Sequence, residues 1–224
     1  MSIHTAPVVT YRWITFLLAG GYCLYQLLTH DYANPGGPFR FLTIWALFLS
    51  FYSASRMLAL SEQRDVRNHH RTASVAAVIN VMVVFLYWRL FFEDPALVNG
   101  KGDIVWHQQY YLHCLGPALQ IFDALFIARV FGRPLRAVGP LVAFVLTYVA
   151  WAELFVQRYN DAPSGTVTSG LPYPFLNSMA FSDRAIFYAS NVGMALFVLL
   201  VLSAVCWLAR KTSGPTEEIQ VAPQ

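Results

Sequence analysis

The sequence predicts an all-α integral membrane protein, a bundle of about six transmembrane helices with both termini in the cytoplasm. Three observations lead there. The hydrophobic residues, 57% of the chain, gather in blocks of about 20 residues, the length a helix needs to cross hydrocarbon. Charged residues make up only 12%, roughly half the share of an ordinary soluble domain. No run of about ten residues alternates polar with apolar as a barrel strand would. A backbone that must be satisfied within each span is then left with helix.

The blocks are 12–29, 41–61, 73–92, 108–128, 137–157 and 185–209. The first lacks a small-residue cleavage site after its apolar part, so it reads as a span and not as a removed signal. Arg56, Arg89, Asp123 and Glu153 each fall inside a block, whereas the sixth runs uninterrupted from Arg184 to Arg210. The connection 160–184 is the longest and contains Pro163-Ser164-Gly165 and Pro172-Tyr173-Pro174-Phe175; loops of that length often carry function. Residues 1–210 are expected to form one domain, and 211–224 a polar, disordered cytoplasmic tail. There is no internal repeat.

Basic residues set the orientation. With the N-terminus inside, the inner set is Arg12, Arg64, Arg67, Arg71, Arg129, Arg133, Arg136, Arg210 and Lys211; the outer set is Arg40, Lys101, Arg158 and Arg184. Nine against four satisfies the positive-inside bias. Asp31, Asp94, Asp103 and Asp161 then lie outside. The membrane is the plasma or inner membrane or an endomembrane, according to the organism.

Several function classes lose support at this point. The net charge of +3 is spread over short clusters, unlike the single basic face of a nucleic-acid binder. Cys23, Cys114 and Cys206 form no CxxC pair and sit in apolar blocks, the setting of buried, inert thiols. His69 and His70 are adjacent, His107 and His113 are six apart, and neither spacing suits a helical metal site. No glycine-rich phosphate loop is visible, and no cofactor or metal is called for. Trp13, Tyr87, Trp88, Trp106, Tyr110 and Tyr173 lie near block ends, where aromatic residues anchor helices at the interface.

Polar groups inside a membrane default to functional roles. Thr43 lies about one turn into the second span from outside, and His113 one to two turns into the fourth, so topology alone puts them at similar depth. On the fourth span Gln109, Gly116, Pro117, Gln120 and Asp123 share the side of His113; on the second, Ser50 and Ser53 lie below Thr43. Pro117 has no N–H, so the carbonyl of His113 loses its helical partner and the helix should bend there. Tyr25, Gln26, Arg89, Glu153 and Asn191 reach the same outer level, and Arg89 could pair with Glu153. Asp123 lies about 15 Å deeper than His113, too far to orient the imidazole, and is expected to pair with Arg56.

Three landmarks carry a family resemblance. They are Gly36-Gly37-Pro38-Phe39-Arg40-Phe41-Leu42-Thr43, then His113 followed by Pro117, then Tyr173-Pro174-Phe175-Leu176. In this order over roughly 11–209, the chain resembles the androgen-induced membrane protein family, which includes the androgen-dependent TFPI-regulating protein. Gln109 and Tyr110 stand where animal members tend to have Asn-His. The resemblance implies a six-span threonine hydrolase acting on fatty acid esters of hydroxy fatty acids, with Thr43 as nucleophile and His113 as base. Its partners would be membrane lipid and the lipid ester. Gln26, Arg89, Tyr110 and Asn191 are candidates to hold the oxyanion, with Glu153 nearby. The alternative is a non-enzymatic lipid-binding or scaffold protein, or a small transporter using the same polar stripes as a path.

Overall fold

The computed structural model describes residues 2–99, 104–161 and 170–212. Among these every regular element is helical. The long ones are α1 (Ala6–Thr29), α2 (Leu42–Ser61), α3 (His70–Glu93), α4 (106–127), α5 (Leu135–Tyr159) and α6 (Phe181–Thr212). Each expected block matches one helix, extended by a few residues where polar ends reach past the apolar stretch. Four of them, α2, α3, α5 and α6, are long and apolar enough to cross a membrane. Lys101, Asp103, Pro163-Ser164-Gly165 and the tail beyond Thr212 lie outside the described residues.

Helix α3 is the hub. It packs on α2, α4, α5 and α6, and its centre, Ala76-Ala77-Val78, is wholly buried. A helix apolar all round belongs inside a bundle, and its small residues Ala73, Ser74, Ala76 and Ala77 let neighbouring backbones come close. The large apolar side chains of the outer helices, such as Leu17, Leu24, Phe197, Leu200 and Leu208, point outward. A surface of that kind is suited to lipid.

Helix α4 is not a regular rod. Tyr111–Leu115 and Asp123–Ile127 are π-helical turns separated by the α-helical Gly116–Phe122. The Gly116 amide bonds Tyr111 O and the Ala128 amide bonds Asp123 O, at 2.8 Å in the second case. Disruption at Pro117 is thus taken up by a wide turn around His113. A Cβ at Gly116 would crowd Tyr111 O at 3.0 Å, so glycine eases the turn there. Such turns are frequent at functional sites. A third one, Ala152–Val156, interrupts α5.

The expected Arg56–Asp123 pair does not form. Asp123 is held by Arg12, Nε to Oδ2 at 3.0 Å and Nη2 to Oδ1 at 2.7 Å. Arg12 also donates to Met57 O (2.8 Å) and Ser61 Oγ (2.6 Å), and Ser61 donates to Ile3 O (2.8 Å). Arg56 is half-buried and reaches Asp65 instead, at 3.7 Å. The reason is reach: Arg12, in the second turn of α1, sits at the depth of Asp123 and offers a planar fork that matches the carboxylate.

Candidate active site

At the opposite end of the bundle from Arg12 there is a mostly apolar cavity of about 230 Å³. The C-terminal ends of α1, α3 and α5, the N-terminal ends of α2, α4 and α6, and residues 171–176 enclose it. Thr43 and His113 both line it.

Thr43 is placed by the turn before α2. Gly36 (φ 82°) and Gly37 (φ 46°) adopt left-handed backbone, and a Cβ on Gly37 would meet the Tyr32 ring at 2.9 Å. Such backbone favours glycine. The following turn, Gly37–Arg40, is then pinned from two helices. Phe39 O accepts from the indoles of Trp45 (2.7 Å) and Trp151 (3.1 Å), and Arg40 O accepts from the Tyr148 hydroxyl (3.1 Å). Helix α2 begins at Leu42, so Thr43 falls in its first turn, where backbone amides lack helical acceptors.

His113 is buried, and its ring stacks on Tyr87 with centroids 3.6 Å apart and planes 5° from parallel. Its Nδ1 has no hydrogen-bond partner. Its freed carbonyl is taken by the Trp88 indole at 2.9 Å. Tyr87 and Trp88, expected as interface anchors, are instead the clamp that holds the histidine: consecutive residues of α3 grip its ring and its backbone. Trp13, Trp106 and Tyr110 do lie exposed.

The other candidates divide. Gln26 and Asn191 line the cavity; Arg89, Tyr110 and Glu153 do not. Arg89 faces outward, away from Glu153. Glu153 binds Arg184 through two bonds of 2.8 and 3.0 Å and accepts from the Tyr188 hydroxyl at 2.7 Å. Arg184 wins that carboxylate because it starts α6 beside the end of α5, and its Nη1 also closes on Met179 O (2.9 Å).

Residues 170–177 form one wall. Asn160 Nδ2 holds Gly170 O (2.7 Å), Asn177 bonds both ends of the Leu171 peptide (2.6 and 2.8 Å), and Leu171, Pro172, Tyr173, Phe175 and Leu176 face the cavity. The Tyr173 hydroxyl lies against the Leu42 amide and the Tyr148 hydroxyl, and burial raises its pKa. His30, also in the wall, has its pKa lowered by burial and then by the charge of Arg40.

Beneath the cavity the polar groups are committed to one another. Asn80 Nδ2 donates to Ser50 Oγ (2.7 Å) and Ala76 O (2.8 Å), and Gln120 Nε2 donates to Ser50 O (3.2 Å). A second pocket of only about 10 Å³ touches this layer. Among the described residues, no three His, Cys, Asp or Glu side chains cluster as metal ligands.

The sequence profile described as FAR-17a/AIG1-like protein matches residues 6–208. The chain belongs to this family. The FAR-17a/AIG1-like match spans all six long helices and the cavity they enclose, and family membership is consistent with a membrane hydrolase. No curated protein and no solved structure matches the chain.

Tyr148 and His30 escaped the sequence reading. Tyr87, Trp88 and Tyr173, expected as interface anchors, turn inward instead: Tyr87 and Tyr173 line the cavity and Trp88 bonds the His113 carbonyl. The signal for Tyr87, Trp88 and Tyr173 was their position near a block end. Aromatic residues there look the same whether they meet lipid headgroups or a neighbouring helix.

Proposed function

We propose that this protein is a membrane-embedded hydrolase of lipid esters, most consistent with fatty acid esters of hydroxy fatty acids. Six spans would cross the membrane with both termini cytoplasmic. The observation that carries the reading is that Thr43 and His113 line one apolar cavity whose size and lining suit an acyl chain. A threonine hydroxyl needs a base, and an imidazole lining the same cavity with its Nδ1 unpaired can serve as one.

In this scheme His113 takes the Thr43 Oγ proton as Oγ bonds the ester carbonyl carbon and the π pair moves to oxygen. Collapse breaks the bond to the alcohol oxygen, which receives the proton from His113. Water then attacks the acyl-threonine, giving its proton to His113; the acid leaves and the proton returns to Thr43. No cofactor enters. The closed, hydrogen-bonded layer of Ser50, Asn80 and Gln120 favours a pocket over a transport path.

The test is covalent labelling of the purified protein by a fluorophosphonate, beside Thr43→Ala and His113→Ala. Labelling of the parent that is lost in both variants supports the dyad. A folded parent that neither labels nor cleaves such esters sinks it.

A further inference from the structure

Gln26 is 2% exposed, lines the cavity, and its Nε2 has no hydrogen-bond partner. An amide buried without an acceptor costs about 1–3 kcal/mol, so in a bundle whose other central amides are paired it calls for a reason.

The pairing of α1 with α2 shows where this amide sits. Cys23 Sγ approaches Leu47 O at 4.0 Å, and a Cβ on Gly20 would touch Phe51 at 3.0 Å. The two helices therefore run antiparallel in a register that sets 20 against 51 and 23 against 47. One turn further out, Gln26 is on the face of Cys23 and Thr43 is on the face of Leu47. Gln26 thus stands across from Thr43. The Thr43 backbone amide, in the first turn of α2, has no acceptor one turn earlier to bond: Phe39 O is occupied by two indoles. The neighbouring Leu42 amide is already met by Tyr173.

We infer that the Gln26 side-chain amide and the Thr43 backbone N–H form the oxyanion hole of this site. This rests on the hydrolase reading. When Thr43 Oγ bonds the ester carbon, the carbonyl oxygen gains the negative charge. Gln26 Nε2–H and Thr43 N–H are the two donors facing it, and the positive end of α2 adds to their effect. Gln26 Nε2 is idle in the resting protein and Thr43 N–H makes no bond to the backbone of the preceding turn, so receiving the oxyanion breaks no such bond. Asn191, the other candidate in the cavity wall, gives its Nδ2 to Phe187 O at 2.8 Å.

The experiment measures kcat and KM of the full-length protein for a fatty acid ester of a hydroxy fatty acid, beside Gln26→Leu and Gln26→Glu. It also measures inhibition by a long-chain trifluoromethyl ketone, whose adduct with threonine carries an oxyanion. Loss of one oxyanion donor is expected to lower kcat about 10²–10³-fold with KM nearly unchanged. Ketone affinity should fall in parallel, with the melting temperature in detergent held. A folded Gln26→Leu or Gln26→Glu protein within about threefold of the parent kcat overturns the assignment, as does a loss confined to KM with ketone affinity intact. If the parent itself neither hydrolyses the ester nor labels with fluorophosphonate, the hydrolase reading falls. A parent that is active beside equally active Gln26 variants removes only the oxyanion hole.

Discussion

The two ends of the bundle solve the burial of polar groups in opposite ways. At the Arg12 end, a fully buried guanidinium makes four bonds to Asp123, Met57 O and Ser61. At the cavity end, buried nitrogens are left open. Among the described residues five such side-chain atoms lack a partner, and four of them, on Gln26, Arg40 and His113, lie at or beside the cavity. One end therefore reads as a lock and the other as a site, since unsatisfied buried groups in a native fold mark function or strain.

Substitutions should separate the two ends. The largest effect belongs to the cavity: Thr43→Ala or His113→Ala should cut ester hydrolysis by about 10⁴-fold or more, with the melting temperature held in Thr43→Ala and lowered in His113→Ala only by the loss of the Tyr87 stack, far less than the fall in rate. A fall in melting temperature matching the fall in rate would erase the distinction. Next comes the lock. Arg12→Met strands Asp123 and should cost about 3–5 kcal/mol in a detergent unfolding assay, with Arg12→Met/Asp123→Leu recovering much of it. The double variant, if folded, should keep near-parental kcat, because nothing at that end touches the cavity.

Trp88→Phe sits between the two classes. It frees the His113 carbonyl, costing about 1 kcal/mol of stability, and loosens the wide turn that aims the imidazole, so kcat should fall several-fold as well. Unchanged kcat would mean that the Tyr87 stack suffices. The smallest effect is expected at the surface of the lock end. The Asp65 carboxyl is held below its usual pKa by the Arg67 amide and by His69. A depressed acid contributes stability above the unfolded pKa and loses it as pH falls through the folded one. Asp65→Asn should accordingly flatten the acid limb of the stability profile, lying slightly below the parent at neutral pH and meeting it in acid, as pH-dependent unfolding in detergent would read.

Much of this was legible in the chain. Blocks of apolar residues located the helices to within a few positions, and alternation of the spans put Thr43 and His113 at one level. The inward stripe of Gln109, Pro117, Gln120 and Asp123 also follows from 3.6-residue spacing, and those of its members that are buried or line the cavity confirm it. Charge partners did not follow. Arg56 and Arg89 were matched to Asp123 and Glu153 by depth alone, whereas Arg12 and Arg184 hold those carboxylates.

The sequence by itself determined which segments are helical, which faces turn inward and at which level the polar residues fall, because those depend on hydropathy and on a fixed rise per residue. Only the tertiary structure decided who meets whom at each level. It chose Arg12 for Asp123, Tyr87 and Trp88 for His113, and brought Gln26 to the cavity that Thr43 lines. Helices that share a depth can be arranged around one another in several ways, and packing about the small residues of α3 selects one of them.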